Sequence, residues 1–169
     1  LAKKAMKKAT DPFKKSIQNG RQLALKIACN SVYGFTGVQK GYLPCWPIAA
    51  TTTTIGRGMI DDSKRISEKT FPHSAQCIYG DTDSVMIKFN DLPSSMEGMK
   101  ACFQRGLKLG DILTDFFGKQ TGTEGIIVME MEKACWPFLN WPEKKRYISR
   151  YFEQPDGPPK IDAKGVQLV

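Results

Sequence analysis

Apolar positions recur along this chain with two periods, and each period predicts its own kind of element. From Pro12 to about Tyr33 the pattern is helical, with Leu23, Ile27 and Val32 marking the buried side. Asp11 is placed to cap that helix and Pro12 to occupy its first turn. Asn19-Gly20 weakens the middle and allows a kink, Gly34 and Gly37 end the helix, and "VQKGYLP" is loop. A second helix is expected from Trp46-Pro47, because Ile48, Ile55, Met59 and Ile66 recur at intervals of seven, four and seven. Thr51 to Thr54, Gly56 and Gly58 are poor helix formers, yet the period runs through them until Phe71-Pro72 stops it. Residues 75–89 read as two strands around Gly80-Asp81-Thr82. Ser95 to Phe117 reads as another amphipathic helix, and "GIIVMEMEKACWPFL" and "KRYISRYF" as strands on either side of an "NWPEK" turn. "EQPDGPPK" is loop, and residues 1–9 read as the end of a helix rich in alanine and lysine. The sum is an α+β fold. No β-α-β alternation with a Gly-rich phosphate loop occurs, which argues against a doubly wound nucleotide-binding fold.

Charge narrows the class of partner. The chain has 169 residues, a formal charge of +8 and a pI near 9.3, and 41% of its residues are hydrophobic. That is one domain or a piece of a larger one, with enough apolar material for a core and a preference for acidic partners, nucleic acid first. The excess is uneven: Lys3, Lys4, Lys7, Lys8, Lys14, Lys15, Arg21, Lys26 and Lys40 face the single acid Asp11 over the first forty residues. Read alone, such a run is equally a solvated helix face. Five scattered cysteines, never spaced C-x-x-C, argue against a zinc site or a disulfide framework and for a reducing compartment. No apolar run approaches the ~20 residues that span a bilayer, and no signal peptide opens the chain. The chain starts without methionine and stops at "KGVQLV", so an excerpt of a longer protein is expected.

The chemistry concentrates in two places. "CIYGDTDSVMIKF" sets Asp81 and Asp83 two positions apart in an apolar, strand-forming run. Alternate residues of a strand share a face, so a tight turn, which Gly80 would permit, aims both carboxylates the same way. Such a pair repels itself unless a cation or proton offsets it, and the flanking apolar strands imply burial nearby. A hard divalent ion with oxygen ligands is the natural offset, magnesium above all. Two ions ~3.5–4 Å apart can serve phosphoryl or nucleotidyl transfer. The competing reading is a hydrated Asx-type turn at a hairpin tip.

On the first helix, Lys26, Asn30 and Tyr33 stand at i, i+4 and i+7, with Gln22 one turn before them. An ammonium, an amide and a phenol in one column suit a nucleotide: charge to the triphosphate, ring to the base or sugar. The plainer alternative is the polar side of an amphipathic helix. Lys144-Lys145-Arg146-Tyr147 follows a proline-containing turn, where three cations can track a phosphate backbone or reach a minor groove. The only histidine, His73, reads as an incidental surface residue.

Together these residues resemble DNA polymerase family B. "YGDTDS" at 79–84 is similar to its motif C, "KIACNSVYG" at 26–34 to its motif B (K-x-x-x-N-S-x-Y-G), "KKRY" at 144–147 to its thumb-proximal motif, and "DAKGVQLV" to the segment that follows. The likeness covers essentially the whole chain, in family order, and is closest to the delta-type branch of eukaryotes and large DNA viruses. It implies fingers helices over 1–36, a palm over 37–139 and a palm–thumb junction over 140–169. It implies that Asp83, with Asp81 ranked below it, holds catalytic magnesium, and that Glu132, beside Glu130, helps bind an extra metal. Lys26 would hold the incoming triphosphate, Asn30 and Tyr33 would line the nucleotide pocket, and Lys3 would match the second of a basic pair on the fingers. Lys144, Lys145, Arg146 and Tyr147 would contact the primer–template duplex.

The implied activity is replicative, two-metal, template-directed DNA synthesis from deoxynucleoside triphosphates. The implied setting is a sliding clamp and accessory subunits, no membrane, and the nucleus, or a host cytoplasm if the source is viral. The family's motif A, D-x-x-S-L-Y-P, with the second metal-binding aspartate, is not in this sequence, so the stretch alone is expected to be inactive. Two other readings compete: another palm-type nucleotidyltransferase, which would carry adjacent aspartates and lack the K-x-x-x-N-S-x-Y-G helix, and a catalytically inactive basic DNA-binding module.

Overall fold

The structure, a computed structural model, describes residues 10–41 and 44–167. The helix end expected over residues 1–9, Lys3 included, lies outside the described residues. The chain divides into two units, Leu1–Ile55 and Gly56–Val169.

In the first unit, α1 (Pro12–Thr36) is an unbroken helix of 25 residues. Asp11 has extended backbone, and its carboxylate accepts from the N–H groups of Phe13 (3.3 Å) and Lys14 (3.2 Å), which satisfies two of the donors orphaned at a helix start. Asn19-Gly20 does not interrupt the helix. One interior glycine costs about 1 kcal/mol relative to alanine, which 25 residues of backbone bonding carry. Gly34 is likewise inside α1, and Gly37 caps it, donating to the Gly34 carbonyl at 3.2 Å.

The expected buried side of α1 is a correction. Leu23, Ile27 and Val32 are 51%, 58% and 71% exposed, and α1 buries none of its residues. Periodicity tells which side of a helix is apolar; it cannot tell whether a covering element stands within the same stretch of chain.

The helix α2 (Trp46–Thr70) starts in the first unit and ends in the second. Its threonines tolerate helix by back-bonding: Thr52 and Thr53 donate their hydroxyls to the carbonyls of Ile48 and Ala50 at 2.8 and 2.9 Å. Only part of the expected face is covered. Met59 and Ile66 pack on core, while Ile48 and Ile55 are exposed.

The second unit is built around α3 (Met96–Thr121), capped by Ser95 at one end and by Gly122, at φ 64°, at the other. Met99 and Phe103 form one core cluster with Ala134 and Phe152. Leu109, Leu113 and Phe117 form a second, which takes in Met59 and Ile66 of α2, Phe71 and Ile87. These α3 positions follow the i, i+3/i+4 spacing of one helix side.

Two antiparallel sheets flank that helix. The hairpin β1 (Ala75–Asp81) and β2 (Ser84–Phe89) forms one; β3 (Ala134–Asn140), β4 (Tyr147–Phe152) and β5 (Lys160–Lys164) form the other, in that order. The α+β expectation is thus met. The strand expected across "GIIVMEMEKACWPFL" is corrected: only its end, from Ala134, is strand. Residues 129–131 instead lie in a notch on α3, where a Cβ on Gly110 would stand 2.8 Å from the Met129 carbonyl oxygen. The Met129 N–H donates to the Thr114 hydroxyl at 2.9 Å, so its backbone bond goes to a helix side chain rather than to a ladder. The short strand β5 follows the expected "EQPDGPPK" loop and was not anticipated as a strand.

The base of the hairpin is locked to α3. Arg105 donates to both Asp91 carboxylate oxygens at 2.7 Å and to the Ser74 hydroxyl at 2.8 Å, with its guanidinium over the rings of Phe71 and Phe89. That contact holds the Asp91 carboxyl well below the usual carboxylate range. All five cysteines are free thiols, and no helix among the described residues is long and apolar enough to cross a membrane.

Candidate active site

The hairpin turn is made by Thr82 and Asp83, between the paired residues Asp81 and Ser84. Thr82, at φ 53°, takes the left-handed conformation, and Gly80 stays within β1. Gly80 therefore does not make the turn, contrary to the sequence reading. The Asp83 N–H reaches the Asp81 carbonyl at 2.6 Å and the Ser84 hydroxyl donates to it at 3.1 Å, so local bonds hold the strained residue. The implied burial is corrected as well: Asp83 is exposed and Asp81 only half-buried, because both sit at the tip, beyond the last core residue of the strands.

The two carboxylates have different neighbours. Lys145 donates its ammonium to both oxygens of Asp81, at 2.6 and 2.5 Å, across 64 positions of sequence. The Lys145 hydrogen bond, followed by that of Thr82, lowers the Asp81 pKa, and Asp81 in turn raises that of Lys145. The cation that the acidic pair requires is thus supplied, for Asp81, by the KKRY turn itself. Asp83 makes no ion pair with a described residue. It lines a cavity of about 910 Å³, with Glu130 and Glu132 also on its wall. Among the described residues, no group of three or more His, Cys, Asp or Glu side chains is gathered as metal ligands.

The KKRY turn divides into an exposed and a buried part. Lys144, Lys145 and Arg146 are exposed, and Arg146 pairs with Glu143. Tyr147 opens β4 and is buried at 8% exposure, edge-on to Tyr79 of the hairpin with centroids 5.9 Å apart. The Tyr79 hydroxyl oxygen accepts the Lys145 N–H at 3.1 Å. Motif C and KKRY therefore meet at three points.

Tyr79, Lys133 and Asp162 belong to this arrangement and were not singled out from sequence. A tyrosine beside the aspartates, and a charged pair inside otherwise half-apolar stretches, were the available signals. On α1, Lys26, Asn30 and Tyr33 lie on one exposed side of a continuous helix, as their spacing predicts. His73 is exposed.

Comparison with known proteins places this chain in a family. The model of DNA polymerase family B matches residues 1–169. The DNA polymerase delta catalytic subunit of Candida albicans is 42% identical over 99% of this chain and 16% of its own length. The subunit of the same name from Schizosaccharomyces pombe is 42% identical, and that of Drosophila melanogaster 41%, each over 99% of this chain and 15% of its own length. The chain thus spans about one sixth of the relatives it matches. With the match running from the first residue to the last, this chain belongs to DNA polymerase family B.

Proposed function

We propose that this chain is the part of a replicative DNA-directed DNA polymerase that carries motifs B and C, with α1 in the fingers, residues 37–139 in the palm and residues 140–169 at the palm–thumb junction. The observation that carries the reading is the union of the acidic hairpin with the basic KKRY turn. It sets phosphate-binding cations beside carboxylates suited to hard cations, as a primer terminus requires.

Asp83 offers hard oxygen donors at an open tip, which suits magnesium. It would hold the ions together with the aspartate of motif A in the full-length protein, with Asp81 and Glu132 as the secondary ligands. Bound there, magnesium supplies charge neutralisation for the attack of the primer 3′-hydroxyl on the α-phosphate and the loss of pyrophosphate. Lys26 binds the triphosphate, Asn30 and Tyr33 shape the pocket for base and sugar, and Lys3 adds a second cation for the phosphates. Lys144, Lys145 and Arg146 bind duplex backbone, and Tyr147 supports them from beneath. By resemblance to the delta-type relatives, the full-length protein acts in the nucleus with a sliding clamp and accessory subunits.

The test is template-directed primer extension by the full-length protein. Lys26→Ala removes one charge-assisted hydrogen bond to phosphate, worth about 1.5–3 kcal/mol. We expect KM for deoxynucleotides to rise roughly 10- to 100-fold while primer–template affinity stays within twofold. Equal loss of both would remove Lys26 from the triphosphate site. Arg146→Ala is expected to reduce the slope of log affinity for duplex against log salt by about one ion's worth. An unchanged slope would take Arg146 off the list of phosphate contacts.

A further inference from the structure

Lys145 is held in an unusual way for an exposed lysine. Its side chain is 67% exposed, and an ion pair so open to water does not by itself keep a long side chain in one place. Its backbone, at φ 60°, lies in the left-handed region that non-glycine residues avoid. Something other than Asp81 must therefore fix it. The contacts lead to β5.

Asp162 on β5 is 11% exposed, and its Oδ2 accepts from Lys133 Nζ at 2.6 Å and from the Tyr147 hydroxyl at 3.2 Å. Lys164 Nζ stands 3.4 Å from the other oxygen. Burial alone would push the Asp162 pKa up, but the Lys133 hydrogen bond and charge outweigh it and the net shift is downward, so the acid is ionised at neutral pH. The Tyr147 ring, fixed at its hydroxyl by Asp162, packs on Phe138 and edge-on to Tyr79. The Tyr79 hydroxyl in turn accepts the Lys145 N–H. Three residues beyond Asp162, Gly165 adopts φ 61°, and a Cβ there would collide with the Lys145 carbonyl. The strand β5 and the residue that follows it thus bear on Lys145 twice: Gly165, just past the strand, makes room for its carbonyl, and Asp162 reaches its amide through two tyrosines.

We propose that Asp162 is a positioning residue of the polymerase site, fixing the backbone of Lys145 through Tyr147 and Tyr79 and so placing the ammonium that engages Asp81. This rests on the reading given under Proposed function. Lys133 is the counter-charge that lets a carboxylate sit in that mostly buried position, and its own pKa, depressed by burial, is raised overall by Asp162.

A double-mutant cycle on the full-length protein tests it, with primer extension and primer–template binding as readouts. Asp162→Ala is expected to lower kcat about tenfold, the scale of a small misplacement near reacting groups, with KM for deoxynucleotides within twofold. In a Lys145→Ala background the same change is expected to have no further effect, because the path it acts through is already gone. A merely structural Asp162 would give the same loss in both backgrounds, and that additivity would overturn the proposal, as would an Asp162→Ala enzyme with wild-type kcat. Tyr147→Phe, which deletes only the hydroxyl and keeps the ring, serves as the second variant if Asp162→Ala does not fold. It is expected to show the same tenfold loss and the same non-additivity, and additivity there overturns the proposal equally. If the wild-type protein fails to extend primers, the polymerase reading falls and the positioning role with it. Wild-type extension with an additive cycle removes the positioning role alone.

Discussion

Asp83→Ala in the full-length protein is expected to abolish primer extension, by roughly a thousandfold or more, while duplex binding changes less than threefold. The size follows from what the carboxylate would do: a ligand of catalytic magnesium underwrites several kcal/mol of charge stabilisation in the transition state, and each 1.4 kcal/mol is a factor of ten. The selectivity follows from position. Asp83 stands at the hairpin tip and supports no core cluster and no described ion pair, so its loss leaves Lys144, Lys145 and Arg146 in place to bind DNA. Asp81→Ala is the internal comparison, since Asp81 already has the Lys145 ammonium as partner. Measured side by side with magnesium and all four deoxynucleotides, extension by Asp83→Ala at the wild-type rate would return the hairpin to a hydrated turn.

Phe117→Ala is expected to cost about 3–5 kcal/mol of local stability, the usual range for emptying a buried aromatic position. Phe117 is 0% exposed, within the cluster that joins α3 to α2 and, through Ile87, to the hairpin. Hydrogen exchange of the full-length protein provides the measurement. Protection of α3 amides around Leu113 should fall by about two to four powers of ten, the equivalent of that energy. The Ile87 amide should follow, because the hairpin that carries Asp83 stands on the same core. Loss confined to α3, with β2 unchanged, would mean that the hairpin is secured by the Arg105–Asp91 lock alone.

What could be read in advance was what lies within a few positions of sequence. The cap at Asp11, the stop at Phe71-Pro72, the two strands around the acidic turn and the common side of Lys26, Asn30 and Tyr33 are local facts, settled by backbone bonding, by proline and by the helical repeat. The motif residues carried the family for the same reason: their chemistry and spacing are legible without a fold. Elsewhere a local rule was overruled. Thr82, rather than Gly80, adopts the left-handed conformation, since the register of the hairpin decides which residue must turn.

The remainder was decided by packing between elements far apart in the chain. No period announces that "MEMEK" lies in a glycine notch of α3 instead of pairing as a strand. Nothing local tells that Leu23, Ile27 and Val32 find no cover within this stretch. The Asp81–Lys145 contact spans 64 positions and the Lys133–Asp162 contact 29. The first joins the hairpin to the turn before β4, and the second joins the entry of β3 to β5 across one sheet, so both depend on how strands and sheets are placed rather than on any local pattern. Local pattern set most of the helices, the acidic hairpin and the chemical groups available, while packing across the chain chose which carboxylate meets a lysine and which stays open.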